Sequence, residues 1–466
     1  MSFTVDTKEF SQPIEFAFGR QVAEFSGIDT GETYAIVGIG DVLEKFTGPP
    51  LWRRNANLIL LGRDEKKLEK VIKRAQQALK DLHGDQAGTV TGRIITSDPG
   101  DTAILDLPDD LKGIYVITPP GSHLYYVKRI TAEKPGIPIA LEKPITGTLE
   151  EARALYEFVQ RNDVPIYGVD WTLLNAQPLF HALGMNVSYP DALEIKNGEN
   201  FALFDASKIV AVDARDIESA DNSLGDPTKV EQDRAWMLDR SKGGGVVLDM
   251  VTHMTNTLAH MGFRHAGLEE VMLGTPSAPL DRTQAGIYRL VADQLTGELY
   301  SCTKGFAQYG DDPRPIPLTI VSGKNGKWNH QFIRLTDENG YVLHWEVMVK
   351  GPDGKRIPDG GSQLDMYDPQ GKIIASAALP SDCYVLAADE FSRYVAQYRE
   401  NHRTPGAESS HFPAHVEGLN WAVAQDEFAR RAEAQPHHGK EVKQLDLPNP
   451  PSWAPGNAGD FWTLQQ

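Results

Sequence analysis

The sequence predicts a two-part α/β protein, with a doubly wound parallel sheet first and an α+β domain on a mostly antiparallel sheet after it. Two observations predict the first part. Six short apolar runs within residues 1–170 alternate with charged, helix-like segments, the pattern of strands buried on both faces between covering helices. The first run, Thr33 to Gly40 (TYAIVGIG), ends in Gly-x-Gly, the kind of turn from which such sheets hold a dinucleotide. A third observation predicts the second part. From Glu194 onward, strand-like runs succeed one another with few helical intervals, which suits one antiparallel sheet.

The elements follow in order. Asn57 to Leu61 (NLILL) is the second strand, and a helical pattern of Lys and Glu covers Glu65 to Leu82. Arg93 to Thr96 is expected as the third strand, Gly113 to Thr118 (GIYVIT) as the fourth, Ile137 to Leu141 (IPIAL) as the fifth and Val164 to Val169 (VPIYGV) as the sixth, with a helix over Leu149 to Asn162. Further on, LEIK at 193–196, FALF at 201–204 and KIVAVDARDIE at 208–218 read as strands. So do GELYSCTKGFAQ at 297–308, IPLTIVSG at 316–323 and the long run at 330–349, where Asn339-Gly340 marks a hairpin. Between these groups stands SKGGGVVLDMVTHMTN at 241–256. Its glycines, Gly243 to Gly245, lead into an apolar segment expected to be helical. Asp249 and His253 are four residues apart and so share a face, while Val246, Val247, Met250 and Val251 are expected to face the core.

With 466 residues the chain exceeds what one core serves. The expected organisation is a dinucleotide-binding domain over 1–170 with an extended lead over 1–30, a substrate domain over 171–447, and an extended arm over 448–466. Its 46 basic and 64 acidic residues give a net charge of −18, which argues against a broad nucleic-acid or anionic-membrane surface. Cys302 and Cys383 stand in unrelated contexts, so neither a disulfide framework nor a Cys metal site is expected, and a reducing compartment, the cytoplasm, fits. No basic stretch leads into an apolar run at the start, so no signal peptide is expected. The apolar runs fall well short of the ~20 residues of a spanning helix. No metal-ligand set is visible.

Candidate chemistry gathers at the carboxyl ends of the predicted parallel strands, where such folds bind ligands. Gly38 allows the tight turn, and Gly40 lets the backbone approach a pyrophosphate; Ile39 and Asp41 belong to the same loop. Leu43 stands where the fingerprint has its third glycine. After the second strand come Arg63 and Asp64. An acid there binds a ribose diol and favours NAD, whereas an arginine accommodates a 2′-phosphate and favours NADP. Arg63, with Lys66 and Lys67 close behind, tilts the expectation to NADP, although both lysines equally suit a solvated helix face. Thr118, Pro119 and His123 border the same crevice. Lys143, after Glu142 and before Pro144, sits at the carboxyl edge. A lysine partly desolvated there can exchange a proton with a hydroxyl; the plainer alternative is a surface lysine in a turn. Asp249 and His253 are either a core histidine held by an acid or an acid–base pair, since both are costly on a buried helix without partners.

Four stretches, in this order, resemble the glucose–fructose oxidoreductase / inositol dehydrogenase (Gfo/Idh/MocA) family: VGIG at 37–40, ITPPGSH at 117–123, LEKP at 141–144 and GGGVVLDMVTH at 243–253. Trp236, seven residues before the glycines, and the ending ADEFSRYVAQYRENHRTP with a helix from about Ala414 to Ala434 fit the same pattern. The resemblance implies an N-terminal Rossmann domain and a C-terminal domain on a large, mostly antiparallel open sheet. The open face of that sheet would make a homodimer or homotetramer. It also implies Lys143, Asp249 and His253 as the catalytic set, Gly38 and Gly40 on the pyrophosphate, and Thr118, Pro119, His123 and Glu142 along the nicotinamide ribose of NADP or NAD. GDVLEKFTGPPLW at 40–52 and EKPITGTLEEA at 142–152 resemble glucose-6-phosphate dehydrogenase. That family has an Asp-His-Tyr motif for phosphate binding. Here Asp170-Trp171-Thr172 has no histidine, which counts against a sugar phosphate.

The expected function is an NAD(P)-dependent oxidoreductase acting on a secondary hydroxyl of a sugar, polyol or glycoside. Asp170, Trp171, Trp236 and the Asp- and Asn-rich segment 185–235 are candidates to line the substrate, though that segment also suits a solvated loop. The alternative is a redox-neutral glycoside hydrolase or epimerase that oxidises its substrate transiently with tightly held cofactor. A non-catalytic sensor on the same fold would keep the glycines but need not keep Lys143, Asp249 and His253 together.

Overall fold

The structure, a computed structural model of the chain, describes residues 31–40, 42–98, 100–219, 247–274, 300–326, 330–347, 361–380, 383–401 and 411–433. The chain forms two compact units. One comprises Ala23–Trp171 and Cys383–Val416, the other Met1–Val22, Thr172–Asp382 and Glu417–Gln466.

The first unit holds a six-stranded sheet of order β3-β2-β1-β4-β5-β6, all of it parallel. The strands are β1 (Thr33–Val37), β2 (Asn57–Gly62), β3 (Val90–Ile94), β4 (Gly113–Val116), β5 (Ile139–Glu142) and β6 (Ile166–Val169). The order reverses between β1 and β4, which leaves a crevice at the carboxyl ends of those two strands. Its helices are α1 (Gly48–Arg53), α2 (Glu65–His83), α3 (His123–Glu133) and α4 (Leu149–Asn162). Each of α2 and α4 starts on a side-chain cap: Asp64 accepts the Lys67 N–H at 2.9 Å, and Thr148 accepts the Glu151 N–H at 3.2 Å. The first lays Leu68, Val71, Ala75 and Leu79 into the core. The third strand was expected over 93–96 and begins three residues earlier. It is an edge strand with mostly solvent-facing side chains, so its apolar pattern does not mark where pairing begins.

Helix α6 (Cys383–Asn401) completes this unit from far along the chain. The Phe391 ring lies 4.9 Å from that of Tyr115, 5.8 Å from Tyr167 and 6.3 Å from Tyr34. Buried Arg54 donates to the Ala388 carbonyl at 3.1 Å and to Ser392 and Asp389 at 2.5 Å each.

The second unit is built on a nine-stranded sheet of order β7-β15-β14-β13-β12-β8-β11-β10-β9. Its strands are β7 (Glu194–Lys196), β8 (Ile209–Ser219), β9 (Phe263–Gly274), β10 (Tyr300–Tyr309), β11 (Asp312–Gly326), β12 (His330–Asp337), β13 (Val342–Val347), β14 (Ser362–Tyr367) and β15 (Ile373–Leu379). Among the described pairings only β8 with β11 is parallel. The β12–β13 hairpin turns at Asn339-Gly340, where the Asp337 carboxylate accepts the Asn339 and Tyr341 N–H groups at 3.0 and 2.9 Å. FALF at 201–204 is not a strand: Gly198–Leu203 is a 3₁₀ helix. Phe201 and Phe204, both buried, are three residues apart, the repeat of a 3₁₀ turn and not the alternation of a strand.

The two faces of this sheet differ. One carries Val212, Ala214, Leu318, Ile320, Ile333, Leu335, Trp345 and Leu364, all buried. On the other, a row of polar residues runs from strand to strand in register: Lys304, Thr319, Asp213, Arg334, His344, Asp365, Ser376 and Lys196. Arg334 donates to Asp213, and Ser376 to Asp365 at 2.6 Å. Helix α5 (Thr252–His260), entered through a π-helical turn over Val247–Val251, packs on β8. From Glu417 onward, α7 (Phe412–Glu433) belongs to this unit. There Thr255 of α5 donates to the Gly418 carbonyl at 2.8 Å. No helix among the described residues is long and apolar enough to cross a membrane. None of the described His, Cys, Asp and Glu side chains form a group of three or more placed to hold a metal ion.

Candidate functional site

The first unit gathers most of the expected site at one edge. Gly38 and Gly40 follow β1, Arg63 follows β2, Thr118 and Pro119 follow β4, Glu142 and Lys143 close β5, and Asp170 follows β6. Gly38 takes φ +117°, and a Cβ there would stand 3.0 Å from the Ile117 carbonyl oxygen, so only glycine fits. A Cβ on Gly40 would have no atom within 4 Å, which leaves bare backbone open to a bulky anion. The Ile39 side chain turns inward over Gly62, whose Cβ would meet it at 2.5 Å, so what Ile39 offers the loop is main chain. Asp41 lies outside the described residues.

Leu43, in the place of the third glycine, is part of the core with Leu51 and Leu60. A π-helical turn over Leu43–Thr47 starts here, with the Gly48 N–H bonded to the Leu43 carbonyl. In the fingerprint that glycine allows close helix–strand packing; the wider turn makes room for a side chain instead. Arg63 is exposed. Asp64 beside it caps α2, so its carboxylate is already engaged.

His123 is fully buried. Its Nε2 lies 2.6 Å from the Thr118 carbonyl oxygen and its Nδ1 3.2 Å from that of Ile145. Burial pushes its pKa down to about 4, against the opposing pull of those carbonyls. Neutral His123 has one N–H to donate, so it hydrogen-bonds only one of these two carbonyls, that of Thr118 being the nearer, and packs against the other. Glu142 and Lys143 are half-buried, and the Lys143–Pro144 peptide is cis. Asp170 is 1% exposed, and the Trp171 ring lies 6.2 Å from Tyr384.

The second unit brings Asp249 and His253 together on one helical segment, 5% and 2% exposed, with Val247, Met250 and Val251 buried around them. Positions four apart on a straight α-helix are offset by roughly 40°; the π-helical turn that contains Asp249 narrows this offset. Sequence reasoning missed what lies on the sheet face that bears this helix. Asp216 of β8, fully buried, accepts from Gln331 Nε2 at 2.6 Å and pairs in register with Ser322. It also missed His411 and His415, behind Asp170 in the first unit. Their only signal is a spacing of four in HFPAH. Trp236, Val246 and Gly243 to Gly245 lie outside the described residues.

A six-stranded 3-2-1-4-5-6 sheet with an open glycine loop at its switch point defines a Rossmann dinucleotide-binding unit. Residues 33–170 match the model of the Gfo/Idh/MocA oxidoreductase family, NAD-binding Rossmann fold. Oxidoreductase P35 of Formosa agariphila is 30% identical over 134 residues, 28% of this chain and 36% of that protein; the match spans about a third of that curated relative's length. Among solved structures, the fold is similar to KijD10, a 3-ketoreductase from Actinomadura kijaniata in complex with NADP and TDP-benzene. That likeness has a TM-score of 0.56 at 11% identity, covering 84% of this chain and 96% of that one. It is also similar to aldose-aldose oxidoreductase from Caulobacter crescentus complexed with glycerol, with a TM-score of 0.55 at 15% identity, covering 86% and 98%.

Proposed function

We propose that this protein is an NAD(P)-dependent oxidoreductase that transfers a hydride between the nicotinamide and a secondary hydroxyl of a sugar, polyol or glycoside, with NADP preferred. The observation that carries the reading is the division of labour at the end of β2. The Asp64 carboxylate is engaged in capping α2, and exposed Arg63 is the charged group left for a 2′-phosphate. Gly38 and Gly40 receive the pyrophosphate on bare backbone, with Thr118, Pro119 and Glu142 along the nicotinamide ribose and His123 behind them.

When bound, the nicotinamide accepts or returns the hydride. Lys143 polarises the substrate oxygen and stabilises its alkoxide character. His253 takes the hydroxyl proton, and Asp249, on the same helix face, orients the imidazole. Asp170, Trp171 and Trp236 hold the remaining hydroxyls and ring faces of the substrate. The work is done in the cytoplasm by a homodimer or homotetramer that meets through the open face of the nine-stranded sheet.

The test is a titration with NADP and NAD by fluorescence quenching, followed by a sugar, polyol and glycoside panel read at the reduced-nicotinamide absorbance. Arg63→Ala is expected to weaken NADP at least about tenfold, the size of one charge-assisted contact, and to leave NAD nearly unchanged. Equal losses for both would assign the preference elsewhere. Product formed without net reduction of cofactor would replace the dehydrogenase by the redox-neutral hydrolase or epimerase.

A further inference from the structure

In the first unit, helix α3 turns one side toward the ends of β2 and β3. Tyr126 and Arg129 stand three apart on this helix and so share that side. The bonds of Arg129 show where it looks. Its Nε donates to Glu133 at 2.7 Å, its Nη1 to the Thr96 carbonyl at 3.0 Å and its Nη2 to the Asp101 carbonyl at 2.7 Å. Thr96 and Asp101 follow β3, and the Ile95 N–H bonds the Gly62 carbonyl at the end of β2. Arg63 is the next residue. The Asp101 carboxylate accepts the Thr96 N–H and, at 2.8 Å, the Ala103 N–H. The charges of Arg129, Asp101 and Glu133 are thus engaged with one another and with main chain, whereas Arg63 is exposed. The Tyr126 ring is 7% exposed and meets the Tyr125 ring edge-on at 5.1 Å. Its hydroxyl has no hydrogen-bond partner among the described residues. Burial raises the pKa of that hydroxyl, and the Arg63 charge opposes the rise ahead of that of Arg129. Tyr126 therefore presents a neutral O–H within the field of Arg63.

We propose that Tyr126 and Arg63 together form the subsite for the 2′-phosphate of NADP, the guanidinium supplying the charge and the phenol a neutral donor from α3. This rests on the reading in which the end of β2 selects NADP. In a sheet of this order the residue after β2 stands at the adenosine ribose. A phosphate monoester brings there roughly −1.5 to −2 of charge and three strong acceptor oxygens. One guanidinium takes two of those oxygens as a fork. The third needs a further donor, and the Tyr126 hydroxyl is a donor in want of an acceptor. A ribose with a bare 2′-hydroxyl brings no charge to this place, so the pair separates NADP from NAD. Packing against Tyr125 does not account for the hydroxyl, since phenylalanine would pack as well.

The test sets Tyr126→Phe, which keeps the ring and removes the hydroxyl, beside Arg63→Ala. Both are made in the full-length protein and titrated with NADP and with NAD by fluorescence quenching, a readout of binding that needs no substrate. Tyr126→Phe is expected to weaken NADP at least about tenfold, as the loss of one hydrogen bond to a charged group does. It should leave NAD within about twofold and the melting temperature nearly unmoved. A selective loss of NADP in Arg63→Ala with none in Tyr126→Phe would overturn the proposal and keep the NADP reading. Equal losses of NADP and NAD in Tyr126→Phe would also overturn it, and would mark the hydroxyl as part of the fold. No selective loss in either variant would overturn both the proposal and the reading on which it rests.

Discussion

His123 illustrates at the residue scale what burial does to a titratable group here. Its pKa in the fold is about 4, below the ~6.5 of an unfolded chain, so the unfolded state takes up the proton first as pH falls. The contribution is therefore whole above pH 6.5, is lost between about 6.5 and 4, and levels off below, to a total of roughly 3 kcal/mol. His411, pushed down to about 3, acts in the same direction from the same upper limit. Urea unfolding followed from pH 7 to pH 4 should show stability falling, with a shallower fall in His123→Asn; an unchanged slope in that variant would place the acid sensitivity in other groups. The catalytic assignment is a prediction at the same scale. Lys143→Ala and His253→Ala are expected to leave NADP affinity nearly intact while turnover drops on the order of 10²-fold to 10⁴-fold. Full activity in both variants would remove them from the reaction.

Among the elements, α5 depends on one close approach. A Cβ on Gly418 would come within 2.6 Å of the Asn256 main-chain nitrogen, three residues beyond His253. Gly418→Ala must push α7 and α5 apart, which costs about 1–3 kcal/mol as overpacking does, and it shifts the helix that carries the Asp249–His253 pair. The expected result is a lowered melting temperature and lowered turnover with nucleotide affinity unchanged, read by thermal denaturation beside a quenching titration. Turnover that holds while the melting temperature falls would show that the pair tolerates the displacement. The helical segments that begin near Leu43 and Val247 both contain a π-helical turn. Neither turn was legible in advance, because one residue's difference in hydrogen-bond closure leaves no mark on an apolar pattern.

For the whole molecule, the parallel sheet and its glycine loop were readable because doubly buried strands are continuous apolar runs and the loop needs Gly38 for its backbone. The hairpin at Asn339-Gly340 was readable for the same kind of reason. The candidate site could be named only in pieces. Lys143, Asp249 and His253 are candidates because they stand in motifs, whereas Asp216, His411 and His415 are single polar residues whose neighbours come from other parts of the chain. The return of Cys383–Val416 to the first unit could not be read from periodicity, since an amphipathic helix does not say which sheet it will cover. It has an energetic consequence: Phe391→Ala should destabilise the protein by about 3–5 kcal/mol, measurable by urea unfolding. A loss under ~1 kcal/mol would mean that the aromatic cluster of Tyr34, Tyr115 and Tyr167 closes without it.

The polar row across the nine-stranded sheet bears on how that sheet avoids mispairing. A strand that slips by one residue turns its apolar side chains to the wrong face and is rejected at once. A slip by two keeps every side chain on its own face, and burial alone barely separates it from the correct pairing. Sliding β12 two residues along β8 sets Arg334 opposite Ala211 or Arg215 in place of Asp213. The first strands a buried guanidinium and the second places two cations together. A row of charges inside a sheet thus separates near-identical alternatives that the apolar face cannot tell apart, and its worth lies in the wrong structures it makes costly.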